Sequence, residues 1–311
     1  YLLSGRWGAE APAGLEARAV KAAWRHVVCM SSGHVAMFNA LGEVRRISGV
    51  SGIDYISNTY VNEHRYCGEV RDVGYDTNLN FELLASMRPD LVLLYGVTGE
   101  NTVVTGKLRE LGIPYIYIGD YMEESPLGKA EWLVAISELT DSRETGTKVF
   151  RESPERYNKL KQLTANVEKR PTVMLNAPGN DSWAMPSVKS YVAQLITDAG
   201  GDYIYKKNTS NGAEPIGLET AYGLIREADV WLNVGMATTL DELKIMNPKF
   251  KDAKAIQENK IYNNNLRLTP EGGNDYWESA VVRPDIVLRD LIKILQLDLV
   301  TADWYYYRHT E

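Results

Sequence analysis

The sequence contains few of the residues that build metal sites and disulfide frameworks. Among its 311 residues there are two cysteines and four histidines. It has no Cys-x-x-Cys pair, no His-Glu-x-x-His helix and no Gly-x-Ser-x-Gly turn, and the glycine-containing segment 96–100 lacks the spacing of a phosphate-binding loop. We therefore predict no metal site, no cofactor and no catalytic residues, and we expect a binding protein rather than an enzyme.

Positive charge and long apolar runs are also scarce. The chain has 34 basic residues against 41 acidic ones, a net charge of −7, which argues against a nucleic-acid partner. No run reaches the ~18 apolar residues that a membrane-spanning helix needs. The chain opens at Tyr1 without a signal peptide, so we expect a mature or trimmed product.

Aromatic residues are present in an uneven mixture. There are 19 tyrosines and 7 tryptophans against 4 phenylalanines. Tyrosine and tryptophan combine an apolar face with a polar tip, a combination that suits a hydrated binding cleft. Ordinary packing in the core and at its rim accounts for most of them.

A long helix is predicted near the middle of the chain, from Asp141 to about Glu168. Asp141, followed by Glu144, has the character of an N-cap residue, and Pro171 follows the predicted end of the helix. Pro154 lies inside the segment and predicts a kink or a short break. We predict an N-terminal lobe (1–140), a connecting helix (141–170) and a C-terminal lobe (171–311).

Both predicted lobes alternate strands with helices. The first lobe has apolar strands at 26–30, 91–96 and 113–118, and the second has strands at 172–176, 229–234 and 260–264, with helices between them. Cys29 lies in the first of these strands, so we predict a buried free thiol and leave its pairing with Cys67 open. The alternation indicates an α/β fold in which parallel sheets are covered on both faces.

Three predicted site residues follow strands or lie in polar loops. His34 opens the helix after the first strand, and Tyr95 lies near the end of another strand, where ligands bind in open α/β sheets. Trp183 follows a strand of the second lobe in a polar loop with Asn180 and Asp181. The alternatives are a surface helix-start residue for His34 and core packing for Trp183.

The segment 262–285, YNNNLRLTPEGGNDYWESAVVRPD, is the richest in candidate binding residues. Arg267, Tyr276 and Trp277 together suit an anionic, partly aromatic ligand. The alternative is a capped helix that uses Trp277 as its hydrophobic anchor.

Two segments, Phe81–Gly96 and Leu218–Gly235, share the order Glu, short helix, Asp, apolar strand, Gly. Glu82 and Glu219 occupy matching places in these segments. Two acidic residues, one in each lobe, could dock basic pockets of a partner protein. Alternatively, each complements the dipole of the helix that it begins.

Several stretches resemble one known family. VVCMSSGHVAMFNALG, VGYDTNLNFELLASMRPDLVLLYG, KLRELGIPYIYIG, QLITDAGGDYIY and GGNDYWESAVVRPDIVLRDLIKIL are similar, in order and spacing, to substrate-binding proteins of ABC transporters for vitamin B12, ferric siderophores and haem. The iron or iron-siderophore branch, with its YNNN and GGNDYWES tail, is the most similar.

The resemblance implies two Rossmann-like lobes joined by one long helix, with the ligand in a cleft between the lobes. It also implies a monomer in the periplasm or at the cell surface, lipid-anchored through a segment that precedes this chain. The partners are then a membrane permease and its ATPase. Glu82 and Glu219 would contact the permease.

The resemblance leaves the cargo open. We expect a ferric siderophore-type complex, bound by His34, Tyr95, Trp183, Arg267, Tyr276 and Trp277. Vitamin B12 and haem are the alternatives, and His34, Met37 and Tyr55 are the residues that could ligate haem, although none matches a haem motif. An enzyme acting on a small anionic substrate and a protein for a free metal ion are further rivals.

Overall fold

The computed structural model describes residues 2–4, 19–21, 24–96, 99–179 and 182–310. The chain divides into two compact units. Unit 1 consists of Tyr1–Tyr121, Ala130–Glu152 and Leu268–Val282, and unit 2 consists of Met122–Lys129, Ser153–Arg267 and Arg283–Glu311. Residues 268–282 were predicted to belong to the C-terminal lobe. The structure corrects this assignment, because the segment packs with the first part of the chain.

Unit 1 is built around a five-stranded parallel sheet. Its strands are β3 (Val27–Cys29), β4 (Ile47–Val50), β5 (Arg71–Asp72), β6 (Leu91–Tyr95) and β7 (Tyr115–Ile118), and two short strands, β1 (Leu2–Ser4) and β2 (Ala19–Lys21), form a separate parallel pair. The order across the sheet is β5-β4-β3-β6-β7, with every pair parallel. Parallel neighbours need a crossover between them, which the helices supply.

The central strand of this sheet is buried on both faces. Val27 and Cys29 belong to one apolar cluster, whereas Val28 and Met30 belong to a second one. Successive side chains of a strand point to opposite faces, so the two clusters are the two sides of the sheet. The helices of unit 1 are α1 (Ser32–Ala40), α2 (Thr59–His64), α3 (Phe81–Met87) and α4 (Thr102–Glu110).

Unit 2 contains a second five-stranded sheet of order β10-β8-β12-β13-β14. Its strands are β8 (Thr172–Leu175), β10 (Asp202–Tyr203), β12 (Val230–Leu232), β13 (Ile261–Asn263) and β14 (Arg308–His309), and β9 (Ser182–Met185) pairs separately with β11 (Glu214–Gly217). All pairs in the large sheet are parallel except β13 with β14. The helices of unit 2 are α7 (Tyr191–Asp198), α8 (Leu218–Glu227), α9 (Leu240–Met246), α10 (Lys254–Gln257) and α11 (Pro284–Leu295). Both units therefore have the predicted α/β fold.

Two helices contribute residues to both units: α5 (Pro126–Leu139) and α6 (Arg143–Leu163). Helix α6 is the predicted long helix, but Asp141 is not its N-cap. Asp141 has a left-handed backbone (φ 57°), and the carbonyl of Ser142 accepts the hydrogen bond from Gly146 N (3.0 Å). Ser142 therefore precedes the first helical residue. The helix continues through Pro154, so the predicted break is wrong, whereas a kink stays a prediction.

Both cysteines are free thiols: Cys29 is buried and Cys67 is exposed. The prediction of a buried free thiol is confirmed, and burial raises the pKa of Cys29 well above its ordinary value. None of the helices in the described ranges is long and apolar enough to cross a membrane.

Candidate functional site

In unit 1, helix α1 begins directly after strand β3 at the carboxyl edge of the sheet. Ser31 is its N-cap residue, and Ser31 Oγ accepts a hydrogen bond from Gly33 N (3.2 Å). A Cβ atom on Gly33 would lie 3.2 Å from Cγ2 of Val281 and 3.9 Å from Oδ2 of Asp120. The glycine therefore lets the start of the helix lie close to both residues.

His34, on the first turn of α1, is completely buried (0% exposed). Neither of its ring nitrogens has a hydrogen-bond partner within the described ranges. Burial lowers the pKa of His34 to about 3, so the imidazole is neutral at physiological pH. A neutral imidazole carries one donor and one acceptor, and the fold uses neither. The predicted surface alternative for His34 is wrong.

Tyr95 ends strand β6 beside His34. The two ring centroids are 6.1 Å apart, and Tyr95 also lies edge-on to Tyr121 at 4.9 Å. The hydroxyl of Tyr121 donates a hydrogen bond to the carbonyl of Gly96 (2.5 Å). A Cβ atom on Gly96 would lie 2.9 Å from Cε1 of Tyr117, so a larger residue would displace that ring. The structure thus brings two of the predicted residues together at one sheet edge.

Trp277 lies next to this edge. Ser32 Oγ donates a hydrogen bond to the carbonyl of Trp277 (3.0 Å). The Trp277 ring stands perpendicular to that of Tyr276, with centroids 4.9 Å apart. Tyr276 is buried, whereas Trp277 is 54% exposed. Both residues belong to unit 1, while Arg267, which the sequence analysis grouped with them, belongs to unit 2.

A buried pair of carboxyl groups holds the segment 268–282 within unit 1. Glu278 Oε2 accepts a hydrogen bond from Ser57 N (2.8 Å), and Asp275 Oδ1 accepts one from Ser57 Oγ (3.3 Å). Glu278 is 3% exposed. Burial, with a smaller contribution from the neighbouring Asp275, raises the pKa of Glu278 to about 7. The close approach of Gly273 to Tyr55, where a Cβ atom would lie 2.9 Å from the Tyr55 carbonyl carbon, fixes the same segment.

In unit 2, asparagines follow three neighbouring strands at the carboxyl edge of the sheet. Asn176 N donates to Leu232 O, and Asn233 N donates to Tyr262 O, both at 3.0 Å. Asn176 and Asn233 have left-handed backbones (φ 67° and 61°), a conformation that asparagine tolerates better than most residues. Asparagine therefore ends these strands for a backbone reason.

Asn263, the last residue of β13, has a fully used side chain. Its Nδ2 donates to Gly235 O (2.8 Å) and Ala237 O (3.0 Å), and its Oδ1 accepts a hydrogen bond from Asn264 N (3.0 Å). These bonds tie the end of β13 to the loop after β12. Asn263 is thus a structural residue.

Three neighbouring amides differ from Asn263. We call Asn233, Asn264 and Asn265 the asparagine cluster. They are 8%, 5% and 6% exposed. Asn233 Oδ1, Asn264 Nδ2 and Asn265 Oδ1 have no hydrogen-bond partner in the part of the chain that the structure describes. Leaving a buried polar atom unsatisfied costs about 1–3 kcal/mol, so a ligand or water that satisfies these atoms would bind favourably.

Arg267 lies two residues beyond this cluster and is exposed. Its guanidinium carbon lies 4.3 Å from the ring centroid of Tyr305, a cation–π contact. The backbone N–H groups of Tyr305, Tyr306 and Tyr307 all donate to Oδ2 of buried Asp290, at 2.9, 2.7 and 3.2 Å. Asp290 thereby holds the backbone of Tyr305, whose ring contacts the guanidinium of Arg267.

Trp183 is a core residue, which corrects its prediction as a ligand-binding side chain. It is 0% exposed, and its Nε1 donates to Leu175 O (2.8 Å). Its ring packs against Trp231 and Phe250, with centroids 5.6 and 6.0 Å away. The apolar ring and the satisfied N–H leave nothing for a ligand. Its predicted loop neighbours, Asn180 and Asp181, lie outside the described residues.

Glu82 and Glu219 are exposed acids in the first turns of α3 and α8. Their position complements the helix dipole. Docking to a partner stays a prediction.

The sequence analysis did not single out Asp120, Tyr121, Asn233 or Glu278. Asp120 and Tyr121 follow strand β7 after one intervening residue, Gly119, and Asn233 follows β12 directly, so strand ends were the available signal for these three residues. Within the described ranges, no group of three His, Cys, Asp or Glu side chains is arranged to hold a metal ion.

Two α/β units with parallel sheets, each carrying buried unsatisfied polar groups at a carboxyl edge, define a protein that binds a ligand. The family described as periplasmic binding protein matches residues 27–265, and the chain belongs to this family. Uncharacterized lipoprotein MJ0878 of Methanocaldococcus jannaschii is 27% identical over 280 residues, which cover 86% of this chain. The chain spans only 64% of the length of that relative.

Solved structures with the same fold are much less similar in sequence. A periplasmic heme binding protein from Pseudomonas aeruginosa has a TM-score of 0.71 at 14% identity, covering 93% of this chain and 98% of its own. A possible iron-binding, periplasmic solute-binding protein from Staphylococcus epidermidis has a TM-score of 0.66 at 18% identity, and the match covers 87% of this chain and 98% of that protein. The periplasmic vitamin B12 binding protein BtuF of Vibrio cholerae has a TM-score of 0.62 at 14% identity, and the match covers 88% of this chain and 100% of that protein. At such identities the likeness concerns the fold.

Proposed function

We propose that this chain is the substrate-binding protein of an ABC importer, and that its cargo is a ferric siderophore-type iron complex. The match of residues 27–265 to the periplasmic binding protein family supports the role. We place the protein in the periplasm or at the cell surface, lipid-anchored, because a relative is named as a lipoprotein. It acts as a monomer with a permease and its ATPase, and it has no catalytic step.

The choice of cargo rests on Arg267. Its guanidinium is exposed and held over the Tyr305 ring by the cation–π contact. A fixed, exposed cation beside an aromatic ring suits an anionic complex with aromatic or conjugated chelating groups. Unit 1 has its own aromatic group at the carboxyl edge of its sheet, Tyr95 and Tyr121, with ring centroids 4.9 Å apart.

Vitamin B12 and haem are the second candidates. His34 is the residue that favours haem, because a neutral imidazole with an unused ring nitrogen is the form that ligates iron. Its burial requires the ring to become accessible when haem binds. Of the other haem-ligand candidates, Met37 is 0% exposed and Tyr55 is 58% exposed. The asparagine cluster favours vitamin B12, because its unpartnered amide atoms would hydrogen-bond the amide side chains of that ligand.

Fluorescence titration of the purified protein tests the proposal. Seven tryptophans report a coloured ligand by quenching. We expect saturable quenching by a ferric siderophore, with no response to the same siderophore without iron. If only haemin or cyanocobalamin gives saturable quenching, that ligand replaces the siderophore complex as the proposed cargo, and the proposed transport role is unaffected. If none of these ligands binds in titration or calorimetry, the proposed class of cargo is wrong.

A further inference from the structure

The asparagine cluster stands beside a residue of the same type that behaves differently. Asn263 uses its whole amide within the fold, whereas Asn264 and Asn265, the next two residues, each leave a buried amide atom without a partner. Asn233, directly after the adjacent strand β12, leaves a third buried amide atom without a partner. The backbone N of Asn233 bonds to Tyr262, directly before Asn263, so the residues share one edge of the sheet.

The unpartnered atoms have a mixed hydrogen-bonding character. Asn233 Oδ1 and Asn265 Oδ1 are acceptors, and Asn264 Nδ2 is a donor. All three belong to neutral groups. Of the two arginines nearest these residues in the chain and in the sheet, Arg308 donates its Nη2 to Thr238 O (2.9 Å), and Arg267 lies over the Tyr305 ring, where we propose that it binds the anionic part of the complex.

The chemistry of a matching ligand group follows from this pattern. A carboxylate offers only acceptors, so it would face the two unpartnered carbonyl oxygens without a donor. A carboxamide or a hydroxyl offers both a donor and an acceptor. Either orientation of an asparagine amide also presents one of each, so the cluster as a whole complements such neutral groups.

We propose that the asparagine cluster is a subsite of unit 2 that binds neutral carboxamide or hydroxyl groups at the periphery of the cargo, in preference to carboxylates. This inference rests on the proposed function, because it assumes that the cargo reaches the carboxyl edge of this sheet. It adds a selection rule: the outer surface of the metal complex carries N–H or O–H donors toward unit 2.

The first experiment compares Asn265→Leu with Asn263→Leu in the ligand-free chain. Leucine has the same branching and the same number of side-chain heavy atoms as asparagine but no polar atom, so Asn265→Leu removes an unsatisfied group. We expect its melting temperature to rise by about 2 °C. Asn263→Leu is the matched control: it deletes the hydrogen bonds to Gly235 and Ala237, and we expect a lower melting temperature. A melting temperature lowered as far as that of Asn263→Leu would show that the Asn265 amide already serves the fold through a bound water, and would overturn the proposal.

The second experiment measures binding by the same variant. The probes are cyanocobalamin, a cyanocobalamin derivative with one carboxamide hydrolysed to a carboxylate, ferric desferrioxamine with its amide groups, and haemin with its carboxylates. For the amide-bearing complex that the unmodified chain binds, we expect Asn265→Leu to weaken binding about tenfold. If that complex is cyanocobalamin, the hydrolysed derivative should also bind more weakly to the unmodified chain.

The outcomes separate this inference from the proposed function. Unchanged affinity in Asn265→Leu would refute the subsite while leaving the transport role intact. Binding of haemin in preference to both amide-bearing complexes would do the same. Failure of the unmodified chain to bind either amide-bearing complex would overturn the subsite, whereas the fluorescence titration with anionic ferric siderophores tests the proposed cargo separately.

Discussion

Glu278 should make the stability of unit 1 depend on pH in a direction unusual for a carboxyl group. The side chain is 3% exposed, and burial raises its pKa from an ordinary 4.5 to about 7. Asp275, an acidic neighbour, adds to this shift in pKa, while hydrogen bonds from Ser57 and Asn58 oppose the shift without reversing it. The folded state therefore favours the protonated acid.

The sign and the size follow from linkage. Below about pH 4.5, Glu278 is protonated in both states and its contribution to stability is fully present. Between pH 4.5 and about 7 only the unfolded state releases the proton, so the free energy of unfolding falls. The upper limit of the loss is about 3 kcal/mol, from roughly 1.4 kcal/mol for each pKa unit. Above pH 7 this contribution stays constant.

Glu278→Gln tests this reasoning because glutamine keeps the carbonyl that accepts the hydrogen bond from Ser57 N but cannot ionise. We expect the variant to match the unmodified chain near pH 4.5 and to exceed it by up to about 3 kcal/mol at pH 8. Urea unfolding at several pH values, followed by tryptophan fluorescence, measures the difference. Exposed Glu82→Gln is the control and should track the unmodified chain. Parallel curves for Glu278→Gln and the unmodified chain would refute the argument.

Two further predictions concern the proposed transport role. Arg267→Ala should weaken binding of an anionic iron complex by about tenfold or more in calorimetry, because it removes a charge-assisted contact. Arg267→Lys should recover part of the lost affinity. Unchanged affinity in Arg267→Ala would remove Arg267 from the site. Glu82→Ala combined with Glu219→Ala should leave the affinity unchanged and abolish uptake by cells, whereas exposed Glu144→Ala, in the first turn of α6, should do neither. Normal uptake by the double variant would end the docking proposal.

The fold was predictable where short-range patterns decide it. The apolar runs that became β3, β6 and β12, and the serine that caps α7, are signals contained within a few residues. The segment 268–282 was misassigned because its place depends on contacts distant in sequence. Ser57 reaches Asp275 and Glu278, more than 200 positions away, and no local pattern records that pairing.

The candidate site was predictable only in part, for a related reason. His34 and Tyr95 were predicted from the rule that strand ends in parallel sheets meet at one edge, and their ring centroids do lie 6.1 Å apart, but their role in binding stays a prediction. Trp183 was wrong because its loop sequence is polar, while its ring fills the core of unit 2. The run of three asparagines after β13 was visible, but the sequence cannot show which amides have partners. Asn263 differs from Asn265 because its side-chain amide bonds to Gly235 O, Ala237 O and Asn264 N.

The distribution of unsatisfied polar atoms supports a ligand more strongly than any single residue does. His34 contributes two ring nitrogens at the carboxyl edge of one sheet, and the asparagine cluster contributes three amide atoms at the carboxyl edge of the other. Each such atom destabilises the ligand-free chain, so without a use it would be replaced by an apolar group at no loss. Ligands bind at the carboxyl edge of parallel sheets, because the loops and helix starts there have backbone groups that strand pairing does not use. The two edges also differ in chemistry. Unit 1 offers an imidazole among tyrosines, whereas unit 2 offers amides beside one cation, Arg267.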